Sequence, residues 1–145
     1  MPFTKVMIHC IWATKNRQKT ISKELKPVLL KHIKENSIHK SIHIDCLNCV
    51  DDHIHLLISL GREQTVSKVI QLIKGESSFW VNNEKIIAGK FEWQDEYIAL
   101  SVSESAIERV RAYILNQEEH HKRKSFEQEH LEFLLIHGFN ENEFG

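Results

Sequence analysis

Long apolar runs, proline, glycine and cysteine are all scarce in this chain of 145 residues, and each scarcity removes a class of protein. The apolar stretch nearest the start, Val6 to Ala13, is interrupted by His9 and preceded by Lys5 alone, so it resembles neither a signal peptide nor a membrane span. A soluble, cytoplasmic protein is expected. Two prolines and five glycines are gathered into no linker, composition does not shift along the chain, and 41% hydrophobic content suits one core, so we expect one domain over residues 1–145. Three cysteines make an odd count in a chain with no secretory signal, which argues for reduced thiols. Cys46 and Cys49 have the spacing of half a zinc knuckle or a redox pair, but there is no second Cys-x-x-Cys, and odd spacing on a strand sends them to opposite faces. Core packing is their expected role. An excess of one charge is missing too: 19 basic against 20 acidic side chains give a formal charge of −1 and no global field. Any contact with a polyanion must rest on local patches, of which two are visible, Lys15, Arg17 and Lys19, and Lys122, Arg123 and Lys124.

What the chain does have is Asp51-Asp52-His53-Ile54-His55-Leu56-Leu57-Ile58. In an extended segment side chains alternate between faces, so Ile54, Leu56, Ile58 and Leu60 point one way and His53, His55, Leu57 and Ser59 the other. The apolar row anchors a strand in the core. The two imidazoles then stand roughly 7 Å apart along one rigid face, close enough to share an ion. Neutral imidazole is a common ligand for divalent metals. The plainer alternative makes both histidines polar positions on a half-solvated strand.

Val6, Ile8, Cys10 and Trp12 alternate with Met7, His9 and Ile11 as a first, central strand that closes at Thr14-Lys15-Asn16-Arg17. Ser22 then caps a helix over about residues 22–36, with Pro27 early enough to be tolerated. Ile42, Ile44 and Cys46 form a strand that turns at Val50-Asp51-Asp52 into the histidine strand, making a hairpin. A second helix begins near Thr65, burying Val66, Val69, Ile70, Ile73 and Trp80 and leaving Lys68 and Lys74 for solvent or phosphate. A short strand follows at Ile98 to Val102. Ser105 and Glu108 read as a capping box for a third helix with Ile107, Val110 and Ile114 as its stripe, and a last helix is expected around Glu127 to His137. The order predicts an α+β, ferredoxin-like split βαβ sandwich, an antiparallel sheet with helices on one face plus a C-terminal helix carrying a tyrosine.

That tyrosine, Tyr113, stands four residues before Gln117, so the two share one helix flank, a latent nucleophile beside a possible ligand. His120 and His121 follow one turn on as further nitrogen donors, so the third ligand is open among Gln117, His120 and His121. The chain has only two tyrosines, and Tyr97 precedes a strand with no such partner. Trp12, Trp80, Trp93 and Phe79 are stacking candidates, although large aromatics in so small a chain usually belong to the core.

Several ordered motifs resemble the single-tyrosine HUH transposases, the insertion-sequence-200-like enzymes of certain bacterial and archaeal elements. They are Asp52-His53-Ile54-His55-Leu56-Leu57, Leu72-Ile73-Lys74-Gly75, Trp93, Ser101-Val102-Ser103, Tyr113-Ile114-Leu115-Asn116-Gln117 and His120-His121. The resemblance covers most of the chain, and the set is far more specific than His-x-His alone. It implies a DNA transposase in which His53, His55 and Gln117 bind Mg²⁺ or Mn²⁺ and Tyr113 attacks a phosphodiester of single-stranded DNA. The products implied are a 5′-phosphotyrosine link and a free 3′-hydroxyl, with the substrate recognised beside a hairpin at an insertion-sequence end. Lys15, Arg17 and Lys74 are the candidate DNA contacts. The resemblance further implies a homodimer in which the tyrosine helix acts in cis or in trans. Two other functions are weighed, a domesticated hairpin-binding relative without catalysis and a metal-dependent phosphoesterase; Leu57 stands where a third histidine of His-x-His-x-His would be needed for the latter.

Overall fold

A computed structural model describes residues 2–121 and 124–136, with the side chains of residues 120, 121, 126 and 133–136 excepted. Strand β1 (Val6–Ala13) is followed by helix α1 (Leu25–His39), the hairpin of β2 (His43–Cys49) and β3 (His53–Leu60), helix α2 (Val66–Asn83) and β4 (Ile98–Val102). Helix α3 (Ile107–Leu115), the short α4 (Gln117–His121) and α5 (Phe126–Ile136) complete the order. All pairings are antiparallel and the sheet order is β2-β3-β1-β4, so β1 is central as its alternation predicts.

The alternation in β3 divides the molecule into two layers. Ile54, Leu56 and Ile58 join Ile8, Cys10 and Trp12 beneath Leu25, Leu29 and Ile33 of α1 and Val69, Ile70 and Ile73 of α2. On the opposite face Leu57 and Met7 pack against Ile107 and Ile114 of α3, with Ile11, Ala13, Ile98 and Leu100 alongside. The tyrosine helix and the histidines therefore occupy the face away from α1 and α2. Cys49 belongs to the first layer and Cys46 to the second, as their spacing requires; burial pushes their thiols up to about 12 and about 11, and all three cysteines are free.

Local signals set the starts of α1 and α2. The Thr65 hydroxyl accepts from the Lys68 amide at 3.2 Å and starts α2, and the Ser22 hydroxyl accepts from the Leu25 amide at 3.1 Å. Helix α1 begins at Leu25 and runs to His39, so both its ends lie later than the expected 22–36, and Pro27 sits in its first turn where no amide is needed. The expected capping box at Ser105 does not form. Residues Glu104–Ala106 make a 3₁₀ turn before α3, the Ser105 hydroxyl meets that of Ser103, and Glu108 pairs with Arg111.

Candidate metal and tyrosine site

His53 and His55 project from β3 into the layer shared with α3 and α5, and both are fully buried, which removes the half-solvated alternative. Each has its Nδ1 engaged. Asp52 Oδ1 lies 2.7 Å from His53 Nδ1, and His9 Nε2 lies 2.9 Å from His55 Nδ1. A carboxylate only accepts, so His53 donates from Nδ1 to Asp52, the arrangement that fixes ring orientation in histidines that ligate through Nε2. The two Nε2 atoms converge on Glu129 of α5: His55 Nε2 is 3.1 Å from one carboxylate oxygen and His53 Nε2 is 3.4 Å from the other. One ligand-capable atom from each of the three residues lies within 4.8 Å of the other two. For His53, burial opposes the charged form, but hydrogen bonds to Asp52 and Glu129 and their charges outweigh it and raise its pKa above the ordinary histidine value.

Tyr113 of α3 closes the site. Its hydroxyl donates to Glu129, and its ring meets His55 and His9 edge-on, with centroids 5.6 Å and 6.1 Å away. Burial first, then the hydrogen bond to Glu129 and its charge, push the phenol well above the ordinary tyrosine range, while Gln117 pulls the other way. The hydroxyl is thus held as a neutral donor. Gln117 does not share a helix with Tyr113 as the spacing predicts: α3 ends at Leu115, Asn116 leaves the helical conformation, and Gln117 opens α4, buried and donating from Nε2 to the Tyr113 carbonyl at 3.1 Å. Strand β2 holds α3 in place: Arg111 donates two hydrogen bonds to Asp45, 2.7 Å at each carboxylate oxygen, and the Asn48 amide donates to the Ile114 and Leu115 carbonyls. The side chains of His120 and His121, and residues Lys122 and Arg123, lie outside what the structure describes.

The DNA-contact candidates Lys15, Arg17 and Lys74 all have local partners. Lys15 pairs with Glu92 at 2.9 Å and Arg17 with Glu127, on the wall of a cleft of about 580 Å³ that also takes in Gln94 and Asp95. Lys74 is half-buried, donates to the backbone carbonyls of Gln94 and Asp95, and lies 6.0 Å from the centre of the Trp12 ring. Burial lowers its pKa against the pull of Asp95 and Glu96. Of the aromatic candidates Trp12 and Trp93 are core, Trp80 stacks on His32 with centroids 4.0 Å apart, and Phe79 is exposed.

Two members of the site escape sequence reasoning. His9 shows only as a polar interruption of β1, and the signal that could have found it is its place on the same face as Met7 and Ile11, next to β3. Glu129 carries no local signal at all, being one of several acids in α5.

Comparison with known proteins follows the same lines. The curated ISDra2 transposase TnpA of Deinococcus radiodurans is 25% identical over 115 residues, which are 75% of this chain and 81% of that protein. A crystal structure of a candidate transposase from Deinococcus radiodurans R1 superposes with a TM-score of 0.65 at 24% identity, covering 80% of this chain and 93% of that one. The structure of a REP-associated tyrosine transposase bound to a REP hairpin superposes at 0.62 with 14% identity, covering 83% and 72%. Residues 2–117 match the profile described as transposase IS200 like, and on that match the chain belongs to the IS200-like transposase family.

Proposed function

We propose that this transposase cleaves and rejoins single-stranded DNA through Tyr113 with the help of a divalent metal. One observation carries the reading: the family's candidate tyrosine and histidine pair, separated by 58 and 60 positions in the chain at most, meet in a single buried site, with the Tyr113 ring 5.6 Å from that of His55. Two imidazole nitrogens and a carboxylate oxygen within 4.8 Å of one another are a donor set that fits a divalent cation. His53 and His55 would hold Mg²⁺ or Mn²⁺; family resemblance offers Gln117 as a third ligand, a place for which the Glu129 carboxylate competes. When bound, the cation supplies polarisation of the scissile phosphate and stabilises charge developing on its oxygens.

Tyr113 Oη forms the new bond to phosphorus as the bond from phosphorus to the 3′-oxygen breaks. The phenolic proton leaves along the hydrogen bond to Glu129, and the departing 3′-oxygen takes a proton from water. The products are a 5′-phosphotyrosine and a free 3′-hydroxyl, and reversal by a second 3′-hydroxyl rejoins the strand without ATP. Lys15, Arg17 and Lys74 would exchange their present acidic and carbonyl partners for phosphates. The DNA is expected to carry a hairpin beside the cleavage site, a reading supported by the similar transposase that is bound to a REP hairpin. The reading also takes the chain as a single domain that works as a homodimer in the cytoplasm; among the described residues no helix is long and apolar enough to cross a membrane.

The test is detection on a denaturing gel of a covalent adduct with single-stranded DNA from the flanks of the gene, with Mg²⁺ or Mn²⁺ present. An adduct that disappears in Tyr113→Phe supports tyrosine-mediated cleavage. Metal-dependent cutting with no adduct would replace this reading with a phosphoesterase, and hairpin binding with no cutting would replace it with a non-catalytic binder.

A further inference from the structure

Glu129 lies in α5, beyond residues 2–117 that match the family, and yet its carboxylate occupies the middle of the site. It is 4% exposed, its two oxygens stand 3.1 and 3.4 Å from the Nε2 atoms of His55 and His53, and the Tyr113 hydroxyl donates to it. A buried carboxylate is costly unless positive charge compensates it. Two imidazoles whose Nδ1 atoms are engaged by Asp52 and His9 turn their Nε2 atoms toward that carboxylate, which is the convergence of donors a cation would use. A charged carboxylate oxygen also suits Mg²⁺ or Mn²⁺ better than a neutral amide oxygen.

We propose that Glu129 is the third protein ligand of the metal, completing a His53, His55, Glu129 set that draws the C-terminal helix into the catalytic site. This rests on the metal-assisted reading above. Its consequence is that α5, rather than the α3–α4 junction, sets metal affinity, and that the segment after Ser125 is part of the enzyme's working core.

The experiment is Mn²⁺ titration of the metal-free full chain, with free ion followed by electron paramagnetic resonance and no DNA present. Loss of an outer partner of a metal ligand costs about 10–100-fold in affinity, and loss of a ligand should cost at least the lower figure. Glu129→Gln is therefore expected to weaken binding by about tenfold or more, and Gln117→Ala by less. Unchanged binding in Glu129→Gln, or a larger loss in Gln117→Ala, overturns the assignment. A second measurement needs no variant: the carboxyl carbon resonance of Glu129 in the wild-type chain should move on addition of Mg²⁺, and an unmoved resonance overturns the proposal even where the variant fails to fold. Failure of the ligand assignment and failure of the cleavage chemistry are read separately, because the first is measured without DNA and the second by the Tyr113 adduct. More adduct in Glu129→Gln with unchanged Mn²⁺ binding would also overturn it, and would make the carboxylate an obstruction.

Discussion

His9 lies edge-on to the Tyr113 ring and bears on which nitrogen of His55 faces the site. For His55 to offer a lone pair at Nε2 to a metal its proton must sit on Nδ1, and His9 Nε2, 2.9 Å away, would then be its acceptor. His9→Leu should leave the apolar layer filled and lower Mn²⁺ affinity by about 10–100-fold, measured by calorimetry. Asp52→Asn should act in the same direction through His53, whose Nδ1 lies 2.7 Å from that carboxylate. The difference in how these residues could be read from sequence is instructive. The pairing of His53 and His55 on one face follows from two-residue periodicity within a single strand, and so does their separation from Ile54 and Leu56. The nearness of His9 depends on the register that sets Ile11 against His55 and His9 against Leu57, a relation between strands that no spacing within β1 encodes.

Helix α3 carries the candidate nucleophile and is fastened to β2 by Asp45, Arg111 and Asn48. The hydrogen bonds from Arg111, aided by its charge, hold the Asp45 carboxyl below the usual carboxylate range in spite of partial burial. A lowered folded-state pKa gives stability that is fully present above the unfolded value of about 3.9 and is lost as pH falls through the folded value. The urea midpoint of the wild type should therefore exceed that of Asp45→Asn at pH 7, and the gap should close as the pH falls below about 4. Underneath the same helix, Leu57→Ala removes a fully buried side chain that packs on Ile107 and Ile114, and should cost about 2–5 kcal/mol in denaturant unfolding. Caps show where local reading works and where it stops. Thr65 starts α2 because the chain there is extended and the next residues can turn directly into a helix; Ser105 has the same chemistry but falls inside a 3₁₀ turn, where its hydroxyl is spent on Ser103.

For the whole molecule, the element order and central β1 were legible because each strand and helix carries its own apolar period, and the family was legible because its motifs are local strings. The docking of α5 was not, since it places Glu129 against residues more than seventy positions earlier. A bound metal should act on the molecule as a unit: Mn²⁺ at about a hundred times its dissociation constant should raise unfolding free energy by about 2.7 kcal/mol, and the increment should be absent in His53→Ala. Three tryptophans are present, and the most buried, Trp12, lies under the ammonium of Lys74 at 6.0 Å and edge-on to Trp93 at 6.0 Å. Indole emission responds to a charge near its ring, so a strand that draws Lys74 toward a phosphate would change the colour of the protein's own light. Titration of the unlabelled chain with single-stranded DNA should therefore shift its tryptophan emission, and the shift should be lost in Lys74→Ala.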